Sequence, residues 1–238
     1  MSLQRDPRFE RGSALPSPEE KADFVRNMFD RISPRYDLTN RLMTLGMDVH
    51  WRKYAARSLA MEPGGIILDV ACGTGDFVRL LRSMGYRTIG ADFSHGMLAA
   101  AHQDGLLQAD AARLPFTDAS FDGLTCGFAL RNFTSLPTAL AEMARVVKPG
   151  GRIALVEVAR PDQPLIRAGH GFYFDHVVPR IGALVSDSDA YRYLPQSTVY
   201  LPPEPALRSM LKEAGFRSVA IKYFLLHSAQ VISATRAR

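Results

Sequence analysis

Hydrophobic positions along the chain follow two different patterns. From Ser17 to Met61 they recur at three- and four-residue intervals, and from Gly65 onward short continuous apolar runs alternate with helical stretches. Ser17, Pro18 and Glu20 form a capping box ahead of Phe24, Met28, Phe29 and Ile32, which predicts a helix that Ser33-Pro34 ends. A second short helix is expected from about Tyr36 to Leu45, stopping at Gly46, and a third from near Asp48 through Trp51 toward Met61. These helices precede any strand, so residues 17–61 read as a helical lid laid over a domain spanning 62–238. Residues 1–16 are polar and charged, which predicts a disordered tail rather than a signal peptide.

Within the larger part, strands are predicted at Ile66 to Val70, Arg87 to Asp92, Leu106 to Asp110, Phe121 to Phe128, Arg152 to Val158, Ser218 to Leu226 and Gln230 to Thr235. Helices fall between them, at Gly75 to Met84, around Met97-Leu98, at Leu136 to Val147 (stopped by Lys148-Pro149-Gly150-Gly151) and at Pro205 to Ala214. Such alternation predicts an α/β, Rossmann-like fold: a mostly parallel seven-stranded sheet with helices on both faces. Ligands in such sheets bind at the carboxyl ends of the strands.

Composition narrows the setting. The chain has 238 residues, 47% of them hydrophobic and 22% charged, enough for one domain without a disulfide or metal staple. Cys72 and Cys126 fit no metal or disulfide spacing, nor do the histidines fit a metal site, so no metal is expected and a reducing cytoplasm is the natural setting. No apolar run reaches the roughly 18–20 residues of a membrane span. The net charge of +5 permits contact with anionic lipid, whereas no basic run interleaved with aromatics suggests nucleic acid.

The chemistry begins after the first strand. In Asp69-Val70-Ala71-Cys72-Gly73-Thr74-Gly75-Asp76, Gly73 and Gly75 permit a tight turn and a close ligand approach, and the following helix N-terminus offers free N–H groups. Asp92 ends the second strand, about 20 residues on, where an acid accepts from both ribose hydroxyls. Asp110-Ala111 ends the third, where the carboxylate suits an adenine amino group and the Ala111 N–H a ring nitrogen, although a turn cap explains Asp110 nearly as well. The loop reads Asp-x-Ala-x-Gly-x-Gly rather than Gly-x-Gly-x-x-Gly, and a buried Asp69 would repel a pyrophosphate. An acid there suits a cation, and S-adenosylmethionine carries both an ammonium and a sulfonium. The cofactor expected is therefore S-adenosylmethionine, with S-adenosylhomocysteine as product, on a class I methyltransferase fold.

Further motifs sharpen this. Tyr36-Asp37-Leu38-Thr39-Asn40 with Trp51 downstream, Arg145-Val146-Val147-Lys148-Pro149-Gly150-Gly151, Leu130-Arg131-Asn132, and Pro179-Arg180-Ile181-Gly182 leading to Asp187 and Ala190-Tyr191-Arg192-Tyr193-Leu194-Pro195 resemble the ubiquinone/menaquinone biosynthesis C-methyltransferases of the UbiE type. Thr39, Thr44 and Gly127 depart from that pattern, and the match thins after Ser197.

The resemblance implies methyl transfer to a ring carbon of a prenylated quinol: demethylmenaquinol to menaquinol, or the ubiquinone-pathway equivalent. Another lipid or small aromatic acceptor, and a nicotinamide-dependent oxidoreductase, are the alternatives. Phenols titrate near pH ~10, so the site must help expose the ring's nucleophilicity. Arg131 is the candidate to hold a phenolate, with a structural salt bridge as its other reading. The proton acceptor is left open among water, Asp187, His50 and Asp37, and Tyr36 joins Arg131, Asp187 and His50 as a catalytic candidate. Tyr36, Asn40, Trp51, Asn132, Tyr191 and Tyr193 are expected to line the acceptor pocket. A prenylated acceptor lives in the bilayer, so the expected location is cytoplasmic with transient contact at the membrane's inner face; a homodimer stays open.

Overall fold

The computed structural model describes residues 15–17, 19–159, 193 and 196–238. Its frame is a seven-stranded sheet in the order β3-β2-β1-β4-β5-β7-β6. The strands are β1 (Ile66–Val70), β2 (Arg87–Asp92), β3 (Leu106–Gln108), β4 (Phe121–Gly127), β5 (Val147–Val158), β6 (Phe216–Phe224) and β7 (Ala229–Arg236). All neighbours pair in parallel except β7, which runs antiparallel to both β5 and β6. β1 and β4 sit centrally, which is why β1 reads as a nearly continuous apolar run rather than alternating.

Side chains of successive strand residues divide between two cores. Ile67, Ala154, Val156 and Val231 face helices α3 (Met47–Ser58) and α4 (Asp76–Ser83), packing on Ala55, Leu59, Phe77 and Leu81. Leu68, Leu124, Leu155 and Ile232 face α6 (Leu136–Val146) and α7 (Glu204–Glu213), packing on Leu140, Met143, Leu207 and Leu211. Leu68 and Leu140 are fully buried, and each such side chain contributes roughly 1.5–3 kcal/mol. A third cluster joins helix α1 (Lys21–Ile32) to α5 (His95–Ala100) through Val25, Met28, Ile32 and Met97, with Tyr193 beneath.

Three predicted features take a different form. Strand β3 ends at Gln108 rather than Asp110, because the chain turns there: Asp110 bridges to Arg113 and its Oδ1 accepts from the Ala112 N–H. Helix α6 passes directly into β5, and Lys148-Pro149-Gly150-Gly151 forms an excursion inside that strand. Phe121 pairs with Val147 while Gly123 pairs with Arg152, and Gly150 takes φ +82°. The third correction concerns the lid. Helix α3 lies on the sheet as part of the main core, since Ala55, Ala56 and Leu59 are fully buried there. Only α1 and α2 (Tyr36–Met43) lie toward the site without being built into a sheet face. The predicted capping box is present: Ser17 Oγ and the Glu20 carboxylate exchange bonds with each other's backbone N–H at 3.4 Å, one turn ahead of α1. Most of the predicted tail lies outside the described residues.

Candidate functional site

The carboxyl ends of β1, β2 and β4 open into a cavity of about 410 Å³. Asp92 and Phe93 line it at the end of β2, Asp110 and Ala111 just past β3, and Phe128 and Asn132 just past β4; Met97, Tyr36, and Val25, Arg26 and Phe29 of α1 complete the lining. A chamber of about 30 Å³ continues from it, where Asp69, Thr74, Asp76 and Arg52 meet. Tyr36, Gly73 and Gly127 line both spaces. Gly73 has φ +56°, and a Cβ there would point into open space, so the backbone itself forms this wall. Gly75, at φ +83°, also lacks room: a Cβ would lie 1.7 Å from Gln103 Nε2.

Two acids carry unusual protonation. Asp69 is 1% exposed and accepts from Thr125 Oγ1 at 2.7 Å. Burial pushes its carboxyl up to about 7, outweighing that bond and the nearby Arg52 charge. Asp92 accepts from the N–H groups of Ser94 (2.8 Å) and Gly73 (2.7 Å), yet burial still raises it to about 6. An acid held this way gains from an arriving cation, and Asp69 faces the small chamber. The donor set therefore fits the ammonium end of an amino-acid-bearing ligand and disfavours a pyrophosphate.

Around that chamber lies an ion cluster of Arg41, Arg52, Arg79, Asp37, Asp48 and Asp76 that is absent from the sequence reading. Arg41 and Arg52 both bond Asp48, and both reach Asp76, at 3.1 and 3.4 Å. Burial raises the Asp76 carboxyl, but Arg52, Arg41 and Arg79 outweigh it and hold it below the usual range. The Arg52 guanidinium lies 5.2 Å from the Phe128 ring centroid. A second unforeseen contact ties α1 to the cofactor side: Asp30 Oδ1 accepts from Ser94 Oγ (2.6 Å) and from the Gly96 N–H (2.8 Å). Lys21 Nζ, also on α1, donates to Phe133 O at 2.8 Å and sits 3.9 Å from the Tyr200 ring centroid.

The predicted residues divide accordingly. Asp69, Gly73, Thr74, Asp92, Asp110 and Ala111 line the two spaces together with Tyr36 and Asn132. Gly75 shapes the loop without lining either. Thr74 Oγ1 donates to Asp37 Oδ1 at 2.5 Å, bringing Asp37 to the chamber's edge. Arg131 is not at the cavity wall. Its guanidinium is buried, bonded to Glu157, to Phe128 O at 2.8 Å and to Ser197 Oγ at 3.1 Å, which is the salt-bridge geometry. His50 is corrected too: it is exposed, with its ring 6.0 Å from Phe224, because it sits on the outer side of α3. Trp51 is in the core against Phe128 (6.3 Å). Asn40 turns toward Asp48. Tyr193 lies behind the wall, its hydroxyl donating to Asn132 Oδ1 at 3.3 Å. Asp187 and Tyr191 lie outside the described residues. Among the described residues no cluster of three or more His, Cys, Asp or Glu could hold a metal ion. Burial, then Asp69, raises the Cys72 thiol far above its ordinary range, so it stays an uncharged filler.

Residues 17–235 match the ubiE/COQ5 methyltransferase family. The chain belongs to that family. A demethylmenaquinone methyltransferase of Roseiflexus castenholzii is 44% identical over 229 residues, 92% of this chain and 96% of that one. One of the same name from Deinococcus radiodurans is 44% identical over 211 residues (84% and 88%). A ubiquinone/menaquinone biosynthesis C-methyltransferase UbiE of Syntrophotalea carbinolica is 43% identical over 206 residues (82% and 86%). Among solved structures, a Thermotoga maritima S-adenosylmethionine-dependent methyltransferase superimposes with a TM-score of 0.62 at 20% identity, covering 89% of this chain and 99% of that one. That likeness shows the fold, a class I methyltransferase sheet. Membership in a ubiE/COQ5 methyltransferase family makes the chain a methyltransferase and removes the oxidoreductase alternative.

Proposed function

We propose that this methyltransferase moves a methyl group from S-adenosylmethionine to a ring carbon of a prenylated quinol, converting demethylmenaquinol to menaquinol or acting on the ubiquinone-pathway equivalent. The observation that carries the reading is the full-length similarity to demethylmenaquinone methyltransferases, 44% over 92% of this chain. The site supports it. Asp69 and the small chamber suit the ammonium of the cofactor, with Arg52 beside it to meet the carboxylate. Asp92 suits the ribose, and Asp110-Ala111 the adenine edge. When bound, S-adenosylmethionine supplies an electrophilic methyl group.

The chain's own residues orient and enclose the acceptor. Tyr36 and Asn132 line the cavity, and Tyr36 and Gly127 line the chamber as well. Holding two reactants in a near-attack geometry is worth roughly 7–11 kcal/mol, so positioning is the main lever here. Arg131, paired with Glu157, fixes the segment from Phe128 to Asn132. The acceptor's proton passes to water or to a carboxylate, Asp37 or Asp187. The enzyme works in the cytoplasm and touches the membrane surface transiently to meet a lipid acceptor; no described helix is long and apolar enough to cross a membrane.

The test is methyl transfer from labelled S-adenosylmethionine to demethylmenaquinol, a ubiquinol precursor and a small catechol, side by side. Methylated quinol identified by mass is expected. Methylation of the catechol alone would move the assignment to a small aromatic acceptor.

A further inference from the structure

The exposed large apolar side chains among the described residues are Leu38, Leu42, Leu45, Tyr54, Leu225 and Leu226. They are not scattered. Leu38, Leu42 and Leu45 follow at intervals of four and three along α2 and the turn behind it, one helical face, and Leu45 is 81% exposed. Tyr54 is on α3, and its ring is 5.0 Å from Phe224, the last residue of β6. Leu225 and Leu226 follow in the β6–β7 turn, Leu226 at 68% exposure. Met47, on the first turn of α3, packs in the same cluster as Phe224.

This surface belongs to one edge of the molecule. The β6–β7 turn stands where Ala229 pairs with Val158, the carboxyl end of β5. The cofactor cavity opens at that same edge, and the stripe on α2 begins two residues after Tyr36, which lines both chambers. The charge is equally one-sided. Of the eight Lys and Arg in the stretches 35–58 and 216–236, Arg41 and Arg52 are paired with Asp48 and Asp76, and Arg217 and Arg236 lie at the far end of β6 and β7 from the turn, which leaves Arg35, Lys53, Arg57 and Lys222 against two Asp, Asp37 and Asp48. Asp48 is buried in the ion cluster, and Asp37 is tied to Thr74. Arg35, Lys53, Arg57 and Lys222 are exposed.

We infer that this face, α2 with the β6–β7 turn and the outer side of α3, is a docking surface for an anionic lipid bilayer. Exposed leucines with a basic surround are the composition of a surface that inserts apolar side chains at the headgroup boundary while cations meet lipid phosphates. A contiguous exposed apolar patch marks an interaction site, and the basic bias selects a negatively charged partner. The inference rests on the proposed lipid acceptor. Docked on this face, the enzyme presents Tyr36 and the cavity mouth to the bilayer, so a quinol ring enters while its tail stays in apolar surroundings.

The experiment compares the full chain with a Leu45→Glu/Leu225→Glu/Leu226→Glu variant and a Lys53→Glu/Arg57→Glu variant, none of which touches either chamber. Cosedimentation uses vesicles of phosphatidylcholine with and without phosphatidylglycerol, at low and high salt. Methyl transfer to a tail-less, water-soluble quinol is measured in parallel. The wild type should partition onto the phosphatidylglycerol vesicles, less so at high salt. The leucine variant should lose about tenfold in partitioning per leucine replaced. The charge variant should lose the dependence on phosphatidylglycerol, and both variants should keep full activity on the soluble acceptor. Failure of the wild type to bind, or unchanged binding by the leucine variant, overturns the inference while activity on the soluble quinol leaves the proposed reaction standing. A dimeric wild type that the leucine variant renders monomeric also overturns it, assigning the face to a second copy of the chain. Absence of transfer to any quinol counts against the reaction itself.

Discussion

The protonation of Asp69 predicts how cofactor binding depends on pH. Without ligand its carboxyl sits at about 7, because burial outweighs the Thr125 hydroxyl and the Arg52 charge. S-adenosylhomocysteine brings an ammonium that stays protonated from pH 6 to 8, and pairing with it requires the ionised carboxylate. Below pH 7 binding must therefore expel a proton, and the apparent association constant scales as the ionised fraction. Between pH 8 and pH 6 affinity should fall about tenfold, equivalent to about 1.4 kcal/mol. The sign for the ligand-free protein is opposite. A carboxyl raised from the unfolded value near 3.9 contributes stability that is complete below about pH 4 and is lost as pH rises through about 7. Binding should thus tighten over the same range in which the empty site becomes less stable. Calorimetric titration with S-adenosylhomocysteine at pH 6, 7 and 8, in buffers of different ionisation heat, reads both affinity and protons released. About one proton should leave at pH 6 and almost none at pH 8. Asp69→Asn retains an acceptor for Thr125, should bind more weakly, and should show no pH dependence from this group. A flat wild-type profile, or the same slope in Asp69→Asn, refutes the reasoning.

Two further outcomes are expected. Arg131→Gln or Glu157→Gln leaves the other charge of a buried ion pair uncompensated and should cost roughly 3–5 kcal/mol in urea unfolding; normal stability of Arg131→Gln with turnover down about 10²–10³-fold would instead restore Arg131 as an oxyanion donor. Gly96→Ala sets a Cβ 2.8 Å from Asp30 Cα, a backbone atom that must move; an overpacking cost of about 1–3 kcal/mol should appear as faster hydrogen exchange in α1, weaker S-adenosylhomocysteine binding and unchanged exchange in α3.

What the sequence disclosed and what it hid follow from the range of the interactions. Strands β1 and β2 were legible to the residue; for β1 the reason is that a buried parallel strand writes itself as an apolar run bounded by glycine. Asp69, Asp92 and Gly73 were legible because each lies at or just past the carboxyl end of a strand, and the fold class alone sends strand ends to the site. Arg52 left no such signal. It neighbours Trp51 on a helix before the sheet, and it meets Asp76 only because α3 packs on α4. Asp30 meets Ser94 across 64 positions, one polar residue on an otherwise amphipathic helix. The extent of the lid was hidden for a related reason: α1 and α3 share a helical period and both bury side chains fully, but Ala55 and Leu59 pack on the sheet while Met28 and Ile32 pack on α5.

The electrostatics near Asn132 change what Arg131 offers the reaction. Alone, a guanidinium bonded to Glu157 adds little net charge, since the carboxylate cancels it. Lys21 alters that balance. Burial and the nearby Arg131 lower it to about 8, which leaves the ammonium charged at neutral pH. Lys21, Arg131 and Glu157 together therefore carry one net positive charge, and Lys21 is bonded to the carbonyl of Phe133, a residue of the cavity wall beside Asn132. The positive charge beside Asn132 thus resides in a group of three side chains rather than in one. Its net charge depends on α1, because Lys21 reaches Phe133 only while that helix is seated. The Asp30 contact that seats α1 goes to Ser94, whose own N–H bonds Asp92. Asp92 and the charged group beside Asn132 are consequently joined through a single helix, α1.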